Sequence, residues 1–187
     1  MEFRLLGPAA AAALLAACGA GGEVAVSPMA RTAPDPPRAE GPCASLVYAM
    51  TCVSPRGWDL AEEGPGPGLI MRYASRADTP QERSHLILRA YPAVRRRLSW
   101  IVEENIVKPL RGGAGVSDLA VKPGSLGSRR GLAVMARQET GTWRFVHKIF
   151  AFEREGTVFV AEHVLPSSRS KSEGRVLEDF LESLAFR

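Results

Sequence analysis

The chain of 187 residues carries three cysteines and three histidines, and reactive chemistry would have to begin at these six side chains. A cysteine thiolate is a nucleophile, a soft metal ligand or half of a disulfide. An imidazole moves protons near neutral pH or ligates a metal. Cys18 follows Leu15, Ala16 and Ala17 at the close of an apolar run. The two small residues suit a peptidase cleft, and cleavage before Cys18 would leave its sulfur at a new N-terminus.

With Cys18 set apart, Cys43 and Cys52 remain as a possible disulfide in an oxidising compartment. Their bridge would close a ten-residue segment, and it could contribute about 3 kcal/mol. A straight strand would hold the two Cα atoms about 30 Å apart, whereas a disulfide needs less than about 7 Å. Bridging therefore requires residues 43–47 to fold back or form a helical turn.

The histidines are His85, His147 and His163. Residues 143–153 and 157–165 flank Arg154-Glu155-Gly156 and read as a hairpin with a three-residue, bulged loop, because Gly156 can take a positive φ. That register pairs Glu153 with Thr157, sets Lys148 opposite Glu162, and sets His147 opposite His163. Two imidazoles on one face are weak candidates for a zinc or copper site. They lack a third ligand, and Phe145, Ile149 and Ala161 around them are apolar. A core or interface pair is the better reading, with no metal.

Other chemistry finds no footing. Gly112-Gly113-Ala114-Gly115 follows a helix instead of preceding one, opposite to a phosphate loop. There is no Gly-x-Ser-x-Gly elbow. Glu62-Glu63 and Glu103-Glu104 are sequence neighbours, which do not converge on one substrate. Catalytic residues and a cofactor are therefore not expected. Net charge is +4, and basic residues are dispersed among acidic ones, which does not resemble a nucleic-acid footprint. Only Arg95-Arg96-Arg97 form a run, read as a solvated helix face.

Several elements must position these groups. Residues 46–53 read as a strand stopped by Pro55 and Gly57, and Gly64-Pro65-Gly66-Pro67-Gly68 as a breaker. Residues 69–74 and 85–91 read as strands. Pro92 suits the first turn of a helix, along which Val94, Leu98, Ile101, Val102 and Ile106 recur at helical spacing. Pro109 should end it near Lys108, with Gly112-Gly113 beyond. Residues 116–121 and 131–139 read as strands joined by a loop over 123–130.

The late hairpin carries apolar residues on both faces. The bulged register puts Phe145, Ile149, Phe159 and Leu165 on one, and Val146, Phe150, Phe152, Val160 and Val164 on the other. Cover on both sides follows. Ser170-Lys171-Ser172-Glu173 reads as a capping box for a last helix with the stripe Val176, Leu177, Phe180, Leu181 and Leu184. The expected fold class is α+β: an antiparallel sheet of six to seven strands covered by helices on both faces, an α/β/α sandwich.

Residues 1–4 form a short polar start with one positive charge, and residues 5–15 are apolar apart from Gly7-Pro8. About 11 such residues are too few to span a bilayer as a helix. With Leu15-Ala16-Ala17-Cys18 this context resembles a bacterial lipobox. The resemblance implies a lipoprotein signal peptide at 1–17 and lipidation of Cys18 with diacylglyceryl and N-acyl (palmitate-type) chains; residues 18–42, rich in Pro, Gly and Ala and without apolar periodicity, read as a flexible linker. A globular domain at 43–187 would follow. More than one chain is needed for stable anchoring, and the linker would span roughly 27 Å r.m.s.. Gly19, in place of an aspartate, resembles the pattern that sorts lipoproteins to the outer membrane, facing the periplasm.

The domain's layout resembles the PsbP-like and Mog-type fold shared by DcrB-type lipoproteins. The opening strand into Pro55-Arg56-Gly57-Trp58, the helix after the third strand, the late hairpin and Phe180-Leu181-Glu182-Ser183-Leu184-Ala185-Phe186 carry the likeness. That fold has accessory and binding members without a shared reaction, so it assigns no function by itself. The implied protein is a bacterial envelope lipoprotein with a non-enzymatic interaction or accessory domain. Its partners would be the membrane, through Cys18, and an envelope protein, with no nucleic acid. The alternative is a periplasmic carrier of a small apolar ligand, held between the sheet and residues 92–108. A metal-dependent enzyme using His147 and His163 has the least support. Cys18→Ser should move the protein from the membrane to the soluble fraction of cells; unchanged fractionation would sink the anchor.

Overall fold

The computed structural model describes residues 42–64 and 68–187. The expectations for the signal peptide, Cys18, nearly all of the linker and the middle of the 64–68 breaker lie outside the described residues. Ten strands are described: β1 (Pro42–Ser45), β2 (Met50–Val53), β3 (Trp58–Glu63), β4 (Gly68–Ser75), β5 (His85–Pro92), β6 (Val116–Leu126), β7 (Arg129–Thr140), β8 (Trp143–Arg154), β9 (Thr157–Pro166) and β10 (Ala185–Phe186). Seven form one sheet, in the order β3-β4-β5-β9-β8-β7-β6, and β1-β2-β10 form a second. Every pairing is antiparallel.

The order follows from two meanders. Strands β3 to β5 build one half; a helical crossover carries the chain to the far edge; β6 to β9 return, so that β9 closes against β5. As the strand joining the two halves, β9 is buried along nearly its whole length. Its run Val158-Phe159-Val160-Ala161 suits a strand covered on both faces.

Alternate residues of β8 face two separate cores. Phe150 and Phe152 pack with Met50, Leu177, Phe180 and Leu181, whereas Ile149 and Ala151 pack with Ile101, Val102, Ile106 and Val107. Full burial of one such large side chain contributes about 1.5–3 kcal/mol. The described helices are few and short: α1 (Leu98–Val102), a π-helical segment (Glu103–Val107), α2 (Lys108–Gly112) and α3 (Val176–Ser183), with single 3₁₀ turns elsewhere. The small sheet shares the cover of the first core. The expected helical layer over both faces is thus replaced by a mostly antiparallel β structure, with helices as local cover.

Several sequence expectations are corrected. Residues 46–49 are a turn, not the start of a strand, and Leu46 is 97% exposed at its tip. The apolar residues that suggested a strand sit on a hairpin held by the pairing of β1 with β2 and by Tyr48, edge-on to Phe159 at 5.6 Å. Pro92 ends β5 instead of opening a helix; Arg95 takes φ 55° in the connecting turn, and the helix begins at Leu98. Nor does Pro109 stop the helix. Lys108 N–H donates to Glu103 O, one residue further back than in an α-turn, and this wider winding makes room for the proline ring.

Strands β6 and β7 run through the expected loop at 123–130. β6 is an edge strand, where the N–H that Pro123 lacks need not be paired. The capping box is not formed, because Glu173 turns to Arg169 and the helix starts only at Val176.

The late hairpin has a two-residue turn. Arg154 pairs with Thr157, and Glu155 and Gly156 have φ of 49° and 71°. Both central residues at positive φ make a type I′ turn, whose twist matches the strands. The bulged register is therefore one residue off, and a slip of one sends β9 to the other face. Lys148 stands opposite His163, not Glu162, and His147 opposite Val164. Phe159 and Leu165 share the Phe150 face, while Val160 and Val164 join Ile149. Glu155 bears the strain of a left-handed conformation that asparagine adopts more readily. Glu155→Asn should raise stability by about 0.5 kcal/mol or more, read from urea unfolding; a loss would contradict the type I′ turn.

Candidate functional site

Glu162 and His163 are consecutive in β9, so the pleat sends them to opposite faces of the sheet. An acid and an imidazole in a central strand must each find partners, since an unpaired buried polar group is strongly destabilising.

On the face covered by α1, Glu162 lies within a row that crosses four strands. Arg89 on β5 donates from Nη1 to Glu162 Oε2 at 2.6 Å. His147 Nδ1 on β8 lies 3.1 Å from Glu162 Oε1, and its Nε2 lies 3.1 Å from Gln138 Oε1 on β7. A carboxylate only accepts, so Nδ1 carries a proton and donates. Gln138 Nε2 donates in turn to the carbonyl of Ala114 at 3.3 Å. In that arrangement Nε2 donates as well when the ring holds its second proton; with one proton the Gln138 amide must turn over. Burial by itself would raise the Glu162 carboxyl. The hydrogen bond from His147, then the charge and hydrogen bond of Arg89, outweigh it and hold the group below its ordinary range. The row is a satisfied polar network, short of a poised acid.

The opposite face holds a drier group. His163 is fully buried, with Trp58 tilted over it at 5.6 Å between ring centroids. Its Nε2 lies 3.6 Å from Glu173 Oε2, beyond hydrogen-bond length, and neither ring nitrogen has a partner among the described residues. Glu173 is engaged at its other oxygen by Arg169 Nη1, at 3.0 Å. Arg169 also donates to Ser75 Oγ at 3.3 Å, and Lys148 to the Gly174 carbonyl at 3.1 Å. Burial pushes the His163 imidazole down to about 4, against the pull of Glu173 and with the help of Lys148.

The two candidate metal ligands, His147 and His163, therefore lie on opposite faces with the backbone of the sheet between them. His85 shares the His147 face but has Val164 between them, two strand spacings or about 10 Å away. Burial, then Arg72 and Arg83, lower the His85 imidazole. Among the described residues no three His, Cys, Asp or Glu side chains form a metal-binding group. Cys43 and Cys52 are direct partners in β1 and β2, with Cα atoms 4.9 Å apart and a disulfide between them. The chain folds back at 46–49, which is the condition their bridging required.

Sequence reasoning paired Glu162 with the wrong cation and missed Arg89, Gln138, Glu173 and Arg169. One signal was available. A glutamate inside the run from Val158 to Leu165 must be buried with a partner, whichever register holds.

A cleft of about 340 Å³ lies between the start of β3 and α3, lined by Val53, Pro55, Trp58, Val176, Asp179 and Phe180. Under α1 and the π-helical segment, by contrast, Val134, Ile149, Val158 and Val160 fill the space.

His163 is neutral in the fold, whereas the unfolded chain takes up a proton near pH 6.5. Stability from this group is full above that pH and is lost progressively down to about 4. Wild-type protein should lose about 2 kcal/mol from this source between roughly pH 7 and pH 5. A His163→Phe variant should lack that component. Equal pH dependence of urea unfolding in both proteins would refute the assignment.

No protein-family model matches the chain, and no curated protein does. Solved structures are similar in fold. LpqN, involved in cell envelope biogenesis of Mycobacterium tuberculosis, is 12% identical with a TM-score of 0.52, covering 73% of this chain and 82% of LpqN. The cyanobacterial PsbP (CyanoP) of a Synechocystis species is 10% identical with a TM-score of 0.52, covering 86% of this chain and 100% of CyanoP. A mutant of Mog1 is 12% identical with a TM-score of 0.52, covering 78% of this chain and 94% of Mog1. At such identities the likeness establishes a PsbP/Mog-type fold and nothing finer.

Proposed function

We propose, with the PsbP/Mog-type fold as premise, that this is a lipid-anchored envelope protein whose domain is a non-enzymatic interaction or accessory module. Cys18 is the lipidation site, residues 1–17 the signal peptide, and the outer membrane, on its periplasmic side, the location. The observation that carries the reading is that both cysteines of the described domain and two of its three histidines are bonded or enclosed within the fold. Cys43 is joined to Cys52, His147 is held by Glu162 and Gln138, and His163 is enclosed beneath Trp58. A disulfide also suits an oxidising compartment. The envelope role of LpqN, a protein of similar fold, supports the same setting.

A carrier is the second reading, moved to a different place. The space expected to hold an apolar ligand, under the crossover helix, is filled by side chains. The cleft beside Trp58 and Phe180 reaches the lower end of small-ligand sites in volume. Crosslinking in intact envelopes followed by pull-down separates the two. Wild-type protein should recover one stoichiometric envelope protein, and Cys18→Ser should not. Recovery of no protein, together with an apolar small molecule retained in native mass spectrometry, would overturn the module in favour of the carrier.

A further inference from the structure

One end of the sheet gathers exposed apolar tips and arginines from separate parts of the chain. The β8–β9 turn at Glu155-Gly156 is its centre. Gly156 O accepts from Ala93 N at 2.8 Å, which places the 93–97 turn beside it on one side. On the other side stands the β1–β2 turn, through Tyr48 against Phe159 and through Arg187 N donating to Ala49 O at 2.8 Å.

These turns expose Leu46, Val47 and Val94, at 97%, 69% and 73%, and Trp100 is exposed beside them. Arg95, Arg96 and Arg97 are exposed in the turn itself, where the sequence suggested a helix face. Among the described residues no carboxylate pairs with any of the three. The guanidinium of Arg96 lies 4.1 Å from the Trp100 ring centroid, an arginine–aromatic stack at the surface. Arg154 and Arg187 line a cleft of about 200 Å³ with Val47 and Tyr48 at the same end. Among the described residues, Glu153 and Glu155 stand at the β8–β9 turn, where Glu155 pairs with Arg154 at 3.2 Å, and Glu103 and Glu104, one helical turn beyond Trp100, pair with Arg111 and Lys108.

We infer that this end of the domain, formed by Leu46, Val47, Val94, Trp100 and Arg95-Arg96-Arg97, docks on an anionic phospholipid bilayer. The charge is complementary, and basic residues near such a surface each strengthen binding about five-fold. Leu46 and Val47 stand on one turn and Val94 on another, on either side of the β8–β9 turn, with Trp100 on α1 against Arg96, so the apolar groups do not form one shaped patch. That suits shallow insertion at a headgroup boundary, where tryptophan is also favoured. The hairpin that carries two of the tips is built from β1 and β2, the first described strands in chain order after Cys18. The setting rests on the anchored-module reading; the test does not use the anchor.

Full-length protein carrying Cys18→Ser is added to vesicles of brominated phosphatidylcholine with about one part in four phosphatidylglycerol, and to the same vesicles without it. Tryptophan quenching should appear on the anionic vesicles at about 0.1 M salt and fade near 1 M. Trp100→Phe should abolish most of it. Trp143→Phe, at the far end of β8 and about 35 Å along the strand from the β8–β9 turn, should leave it intact. Replacing Arg95, Arg96 and Arg97 by alanine should weaken binding at least about ten-fold. Quenching that survives Trp100→Phe, equal quenching on neutral vesicles, or unchanged binding by the triple variant would each overturn the proposal. So would binding of poly-glutamate without binding of vesicles, which would make the patch a site for acidic protein. A failed anchor would appear only in cell fractionation and would leave these outcomes untouched.

Discussion

Glu162 in the centre of β9 is the group on which the rest of the sheet depends. A carboxylate in a strand covered on both faces needs cations and donors on that face, from the strands on either side. Arg89 on β5 and His147 on β8 supply them, and Gln138 on β7 extends the row. The network thus ties together the two meanders that meet only at β5 and β9. Its geometry tolerates no slip. Shifting β9 by one residue would turn Glu162 toward Phe150 and Phe152 and bring His163 to face Arg89.

Burial of Glu162 therefore fixes the environment of His163. The pleat drives His163 into the core beneath Trp58, where Glu173 lies just out of hydrogen-bond range and Arg169 holds that acid from the other side. The two faces solve the same problem differently. One hydrates its buried charge with protein donors and stabilises the ionised carboxylate. The other keeps its imidazole neutral by excluding water. Neither arrangement leaves a nucleophile or a general base facing an open cleft. The surface chemistry instead collects at the sheet end, where three connections present arginines and apolar tips.

Legibility in the sequence varied with how local the cause was. The strands of the late hairpin, the stripe of Leu177, Phe180 and Leu181, and the demand for cover on both faces could all be read, because alternation and helical spacing are properties of neighbouring residues. The turn between β8 and β9 could not. Gly156 fits either a bulged loop or a type I′ turn, and the choice rests on Glu155 accepting a positive φ. That single ambiguity decided whether two histidines met. The start of the crossover helix was misread for a similar reason: Val94 lies in helical phase with Leu98, yet the backbone turns at Arg95 and leaves Val94 exposed. Residues 46–49 have strand composition but lie where the chain reverses, so composition alone could not reveal the turn that brings Cys43 to Cys52.

The sequence by itself determined an antiparallel domain with two apolar faces, because periodicity and turn chemistry are encoded within a few residues. It also determined that an acid lay within a buried strand. Only the tertiary structure decided which residues answer that acid, since strand order and register bring Arg89 and His147 beside Glu162, and Gln138 beside His147. The reactive side chains that opened the question illustrate the difference. Cys43 and Cys52 became partners, and His147 and His163 ceased to be, through turns of a few residues whose geometry is fixed by the packing of the whole sheet.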